Sequence, residues 1–167
     1  MIASGLCAGL AAWAYFTIAG AAARTFPIPP DHPVATIAVP DDWRPMSIRD
    51  GVEGSAMNVA VRIAAEFISA PDWDAASAAV TTKLRQSGVV VAPETRHAAR
   101  RRYNGLDALK IDYSGTDPNG ESDITIILLA MPAEAGFVAV CYWGEDEAQE
   151  SVSNDLQSIA ESVELAK

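Results

Sequence analysis

Two apolar segments separated by a short connection constrain the fold most. DITIILLAM, residues 123–131, is apolar at positions that would face both sides of a strand, and GFVAVCYW, residues 136–143, follows across PAEAG. A strand with apolar residues on both faces is typical of the interior of a sheet. Strands joined by so short a connection pair antiparallel. The two segments therefore predict the centre of an antiparallel sheet.

Other segments complete an α+β pattern. VATIAVP, residues 34–40, reads as a first strand, and residues 58–68 alternate apolar and polar side chains with the period of a half-buried strand. Residues 71–88 begin with Pro-Asp, carry apolar side chains at helical spacing and end at a glycine, which predicts a helix. A second helical stripe covers residues 148–163. Runs of strands with few interleaved helices indicate an antiparallel sheet with packed helices.

The Asn104-Gly105 pair predicts a β-hairpin within residues 96–113, because both turn positions favour positive φ. A strict two-residue loop would place Arg102 opposite Asp107. A bulge or a three-residue loop would shift the pairing by one residue. The sequence leaves both registers open.

Four basic residues of this hairpin are the candidate ligand-binding residues: Arg96, Arg100, Arg101 and Arg102. The whole chain is acidic, with 12 Lys and Arg against 22 Asp and Glu and a formal net charge of −10, which argues against a nucleic-acid partner. The second arm of the hairpin offers acidic neighbours, so cross-strand charge pairing is the favoured interpretation. A small-ligand or anion site is the alternative.

A second turn, TDPNGESD, carries the candidate metal ligands Asp117, Asn119, Glu121 and Asp123 around a glycine. Alternating oxygen ligands of this kind suit calcium, but the twelve-residue EF-hand pattern is absent. Pro-Asn-Gly is also a good turn sequence, and the turn alone is the favoured interpretation. No cofactor is predicted.

One combination of residues could support hydrolysis, namely His97, Asp112 and Cys141. Cys141 lies in the apolar run FVAVCYW, where cysteine serves as a small buried hydrophobe. The sequence therefore predicts a protein that is not an enzyme and has no catalytic residues.

The first 23 residues predict export. Residues 2–23 carry no charged side chain and end in AGAAA, which offers small-residue cleavage sites. The segment is also long enough to span a bilayer, so a signal peptide and a signal anchor both remain open. Residues 24–33 hold four prolines and are predicted to form an extended spacer. We expect a periplasmic protein or one anchored in the inner membrane.

The order of these elements resembles the PsbP-like superfamily, named for an extrinsic photosystem II protein and including Ran-binding Mog-type and bacterial DcrB-type envelope proteins. The resemblance covers residues 34–167 and includes a Pro-x-x-Trp after the first strand (40–43) and the Asn-Gly hairpin YNGLDA (103–108). It implies an α/β/α sandwich, an antiparallel sheet with helices on both sides, and binding or accessory roles. No functional residue of the family can be carried over to this chain, because both motifs are structural.

The sequence thus favours a non-enzymatic envelope accessory protein that binds a protein partner or assembly. The alternative is a module that binds a small ligand or anion through residues 100–102. The partner and the oligomeric state stay open.

Overall fold

The computed structural model describes residues 22–167, so the predicted signal segment lies outside the described residues except for its last two positions. The described chain is a mixed α+β fold. Its elements, in chain order, are β1 (Ala23–Ile28), β2 (Ala35–Pro40), β3 (Met46–Ile48), β4 (Gly51–Ser55), β5 (Arg62–Ser69), α1 (Trp73–Gln86), β6 (Val90–Val91), β7 (His97–Tyr103), β8 (Leu106–Asp117), β9 (Gly120–Met131), β10 (Gly136–Gly144), α2 (Asp146–Ser151), α3 (Ser153–Glu161) and β11 (Glu164–Leu165).

The main sheet has the strand order β3-β4-β5-β10-β9-β8, and both β6 and β7 pair with the outer side of β8. A smaller sheet has the order β1-β2-β11, and neighbouring strands in both sheets are antiparallel. The two apolar segments, residues 123–131 and 136–143, lie in β9 and β10, which are side by side within the main sheet and buried along most of their length. The prediction of a central antiparallel pair is confirmed.

Each face of the main sheet is covered by a different layer. On one face α1 packs through Ala76, Val80 and Leu84 onto Ile126 and Leu128 of β9. On the other face the small sheet and α3 pack onto the alternate residues of β9 and β10. Helices therefore lie on both sides of the main sheet, as the resemblance implied, and the second layer also contains three strands.

The helices follow their local signals. The carboxylate of Asp72 accepts a hydrogen bond from the backbone N–H of Ala75 (2.8 Å), which caps the start of α1, and Gly88 follows the helix with φ +84°. The predicted C-terminal helix is divided into α2 and α3, because Val152 leaves helical geometry (φ −119°, ψ 16°). Within residues 22–167 we find no helix of the length and apolarity that crossing a membrane requires.

The hairpin between β7 and β8 has the strict two-residue register. Asn104 and Gly105 both have positive φ, 47° and 80°, and Arg102 lies opposite Asp107. Both central residues with positive φ match a type I′ turn, whose twist fits the strands that flank it. The shifted register is therefore excluded.

Residues 24–33 do not form the unpacked spacer that their prolines suggested. Residues 24–28 belong to β1, which pairs with β2, and Phe26 and Ile28 are buried in the core. Proline fixes φ at a value compatible with extended backbone, and β1 is an edge strand in which Pro27 is tolerated. Residues 23–28 therefore belong to the folded domain, which was predicted to start at Val34.

Candidate functional site

A groove lies between one face of the main sheet and the helices α2 and α3, with a volume of about 740 Å³. The helices are held over the sheet at two points. At one end the side-chain amide of Gln149 donates to the backbone oxygens of Asp123 (2.6 Å) and Gly144 (2.9 Å). At the other end the side-chain amide of Asn104 donates to the backbone oxygen of Val163 (3.1 Å). The groove opens between these two attachments.

The floor of the groove is a cluster of polar side chains on β8 and β9. Lys110 and Asp112 are two residues apart on β8 and therefore share a face. The Lys110 ammonium donates to both carboxylate oxygens of Asp112, at 2.7 and 2.8 Å. Thr125, opposite Asp112 on β9, donates its hydroxyl to the same carboxylate (2.7 Å). These bonds fix the three side chains in one arrangement, as a preformed binding surface requires.

Two tyrosines, Tyr103 and Tyr142, complete the floor, and both are half-buried. Burial raises the pKa of Tyr103, and its proximity to Tyr142 raises it further. The Tyr103 hydroxyl therefore remains protonated at neutral pH and can donate a hydrogen bond to a bound group.

The two walls of the groove carry opposite charges. Arg101 and Arg102 of β7 line one side, while Asp146 and Glu150 of α2 and Glu161 of α3 line the other. A groove with this distribution favours a ligand or segment that carries both polar and charged groups over a purely apolar one.

The arginines predicted as a ligand site do not converge on one point. Arg100 and Arg102 extend from β7 on the side opposite Arg101, because successive residues of a strand alternate. Arg102, next to the turn, nevertheless lines the groove together with Arg101. The Arg100 guanidinium stacks over the Trp73 ring, 4.3 Å from its centroid. Arg102 pairs with Asp107 at 3.2 Å, as the strict register predicted, and both side chains are well exposed.

Arg96 precedes β7 and is exposed. Neither Arg96 nor Arg101 forms an ion pair with a carboxylate among residues 22–167. Arg101 instead donates to the backbone oxygen of Arg100 (3.1 Å). Two of the four candidate arginines are thus available to a charged partner: Arg101, which lines the groove, and Arg96, which directly precedes β7.

The predicted cation ligands are distributed along the turn between β8 and β9. The Asp117 carboxylate accepts a hydrogen bond from the backbone N–H of Asn119 (2.6 Å), which is an Asx turn. Ser114, on the opposite strand, is 3.5 Å from a carboxylate oxygen of Asp123. In the described part of the chain, no three side chains of His, Cys, Asp or Glu come together as a metal site. The turn interpretation accounts for what the structure contains here, and the geometry adds nothing to the calcium hypothesis for Glu121 and its neighbours.

The hydrolytic trio is divided between the two faces of the sheet. His97 lies opposite Asp112, on the groove face. Cys141 is on the other face, buried beneath α1, and burial raises the pKa of its thiol, reinforced by the negative charge of Glu66. A thiol held in its protonated form behind the sheet cannot act on a group bound in the groove.

Sequence reasoning missed the groove floor, although a signal was present. Lys110 and Asp112 share one face of β8 with Leu106 and Ala108, which are buried, so a polar stretch begins on this face at Lys110 and continues to Ser114. The sequence does not show that α2 and α3 leave this stretch open, because that depends on the kink at Val152 and on the two tertiary attachments.

The sheet, the layer on each of its faces and the order of elements define a PsbP-like fold. No family model matches the chain, and no curated protein matches its sequence. Among solved structures, it is similar to LpqN, involved in cell envelope biogenesis of Mycobacterium tuberculosis, with 14% identity, a TM-score of 0.54, and coverage of 87% of this chain and 92% of LpqN. It is also similar to cyanobacterial PsbP (CyanoP) from Synechocystis sp. PCC 6803, with 10% identity, a TM-score of 0.58, and coverage of 97% and 98%. The predicted PsbP-like fold is confirmed.

Proposed function

We propose that this protein is a non-enzymatic accessory protein of the cell envelope that binds a protein partner through the groove. The observation that carries the proposal is the groove itself: an open cleft of about 740 Å³ with a fixed polar floor and walls of opposite charge. Such a surface suits a polar segment of another protein, because complementary charge on both walls sets orientation.

The chemistry of the groove favours binding over catalysis. The Asp112 carboxylate is engaged by the Lys110 ammonium and the Thr125 hydroxyl, so it is not poised as a free base. The cysteine of the described chain is behind the sheet. The envelope role of LpqN, a protein of similar fold, supports the same assignment, although fold alone does not transfer function.

The alternative, a small ligand or anion held jointly by residues 100–102, has less support. The side chains of Arg100 and Arg102 extend from one face of the sheet and that of Arg101 from the other. A compact anion would contact one face only.

Export is part of the proposal and has its own test. The uncharged segment 2–23 would direct the chain out of the cytoplasm, as a cleaved signal or as an anchor in the inner membrane. Cell fractionation followed by sequencing of the mature N-terminus distinguishes the two, and recovery of the full chain in the cytoplasm would contradict export.

Groove binding can be tested with a photo-crosslinking amino acid at Gln157, an exposed groove residue of α3, in cells that produce the full chain. We expect one defined protein adduct, lost in Ser153→Trp, which fills the groove, and retained in Ser158→Trp. Ser158 is also exposed on the same helix but does not line the groove, so it is the matched control. An adduct that survives Ser153→Trp, or the absence of any adduct at Gln157, would contradict groove binding.

A further inference from the structure

The outer edge of β7 carries no further strand within residues 22–167. β7 pairs with β8 alone, and β6 pairs with β8 further along, at Gly115 and Thr116, so β6 does not cover β7. The residues of β7 are exposed or half-buried throughout. An edge strand of this kind presents a row of unpaired backbone donors and acceptors to another chain.

The register identifies the backbone groups on this edge. Tyr103 and Leu106 close a two-residue hairpin, and in such a turn the closing residues exchange both backbone hydrogen bonds. Tyr103, Arg101 and Ala99 therefore direct their N–H and C=O groups toward β8, and the residues that alternate with them direct theirs away from β8. These are Ala98, Arg100 and Arg102, which together offer three donors and three acceptors.

The charge of this edge is opposite to that of the rest of the chain. Residues 96–113 contain five Lys and Arg and two Asp, whereas the remainder contains seven Lys and Arg and 20 Asp and Glu. Arg101 covers the outward carbonyl of Arg100 with its own guanidinium, a contact that the N–H of an incoming strand would replace. The edge thus combines free backbone groups with unpaired positive charge.

We propose that the free edge of β7 binds an extended acidic segment of the protein partner by strand addition. The inference rests on the proposed function for the existence of a protein partner, and it names the chemistry and location of the partner's segment. A second copy of β7 does not fit, because antiparallel pairing of two such strands would bring arginines close to arginines. A phosphate or sulfate would meet the arginines but leave the backbone groups unmatched, whereas an extended polypeptide satisfies both.

Peptide binding tests the charge requirement. The probes are a fluorescent nine-residue peptide of alternating Glu and Val and its counterpart with Lys in place of Glu, measured by anisotropy with the purified protein. We expect the Glu peptide to bind at least about tenfold more tightly than the Lys peptide, because only the former complements the edge. Arg96→Ser with Arg101→Ser should weaken Glu-peptide binding by about tenfold and reduce its salt dependence. Equal binding of both peptides would overturn the inference.

Backbone pairing is tested by a proline variant and by hydrogen exchange. Ala98→Pro removes an outward N–H and blocks pairing while leaving the bonds to β8 intact, and proline is tolerated at such edge positions. We expect this variant to abolish Glu-peptide binding. In the unaltered protein the peptide should slow exchange of the Ala98, Arg100 and Arg102 amides by about tenfold or more, since they become hydrogen-bonded. The amides of Ala99 and Arg101, which face β8, should change little.

Three further results would also overturn the inference. If Ser153→Trp abolishes peptide binding and Ala98→Pro does not, the segment binds in the groove, and the proposed function stands without the edge. If inorganic phosphate alone slows the same amides, the arginines form an anion site. If no peptide binds and the double serine variant forms oligomers, the arginines only prevent self-association of an edge strand. Conversely, if the Glu peptide binds to the edge of β7 but no adduct forms at Gln157, partner binding in the groove is contradicted and the inference about the edge stands.

Discussion

The turn at Asn104 both closes the hairpin and holds the end of the helical wall, so its substitution should have two separable costs. Asn104 adopts φ 47°, and its side chain reaches the backbone oxygen of Val163. Unlike asparagine, alanine has no side chain that can form a local hydrogen bond in the left-handed region. The backbone strain of Asn104→Ala should therefore cost about 1 kcal/mol. Loss of the tether adds about 1 kcal/mol. We expect Asn104→Ala to lower the free energy of unfolding by about 2 kcal/mol.

Two variants separate these contributions. Gly105 has φ +80°, and a Cβ added there would meet open space. Because Gly105→Ala also removes no side-chain hydrogen bond, it tests the backbone strain alone, which we expect to cost about 1 kcal/mol. Asn104→Asp tolerates positive φ but lacks the amide donor, so it tests the tether alone, also at about 1 kcal/mol.

Urea denaturation of the purified protein at neutral pH measures all three variants. With a slope of about 2 kcal/mol per M, Asn104→Ala should lower the midpoint by about 1 M and each of the other variants by about 0.5 M. An unaltered midpoint for Gly105→Ala would refute the strain, and an unaltered midpoint for Asn104→Asp would refute the role of the tether to α3.

Two further predictions concern the opposite face of the sheet. In a Cys7→Ser background, Cys141 should resist a disulfide reagent in the native protein at pH 8 and react within minutes in denaturant, since burial keeps it a thiol; fast native reaction would contradict its placement. Lys83→Met should cost about 2 kcal/mol in urea denaturation, because it leaves the mostly buried Glu66 carboxylate without its ion pair. Partial burial lowers the pKa of Lys83, but the hydrogen bonds and charges of Glu66 and Asp50 together outweigh this and raise it. The stabilisation is therefore present below the ordinary lysine pKa and lost as pH rises above it. The difference between unaltered protein and Lys83→Met should therefore shrink above about pH 10.5, and a constant difference would contradict this assignment.

The sequence predicted secondary structure correctly where turn and capping residues agree with the spacing of the apolar residues. The Asn-Gly turn, the capped helix α1 and the apolar strands β9 and β10 all follow from residues within one segment. The register of the hairpin did not follow, because a bulge would have been equally compatible with the turn residues. Only the pairing with the rest of the sheet selects it.

The missed elements are those whose partners are distant in the chain. β1 contains Pro27, which suggested a spacer, yet Phe26 and Ile28 alternate toward a core supplied by β2 and α3. β11 has two residues and pairs with Ala35 and Thr36 at the other end of the chain. Neither has a local signal strong enough to outweigh proline content or shortness.

The arginines show how register turns composition into a specific surface. Four arginines in eight residues resemble a single basic patch in the sequence, but alternation divides them between two faces, and the two central ones face different surroundings. Arg100 is placed against Trp73 and acts as packing, whereas Arg101 faces the groove without a carboxylate partner among the described residues. Since the surrounding chain is rich in acidic residues, an unpaired arginine at an edge is a feature that local folding does not require. A partner that supplies both carboxylates and backbone groups would satisfy the side chains and the strand edge at once, which is why strand addition accounts for more of this surface than either an anion site or simple solvation.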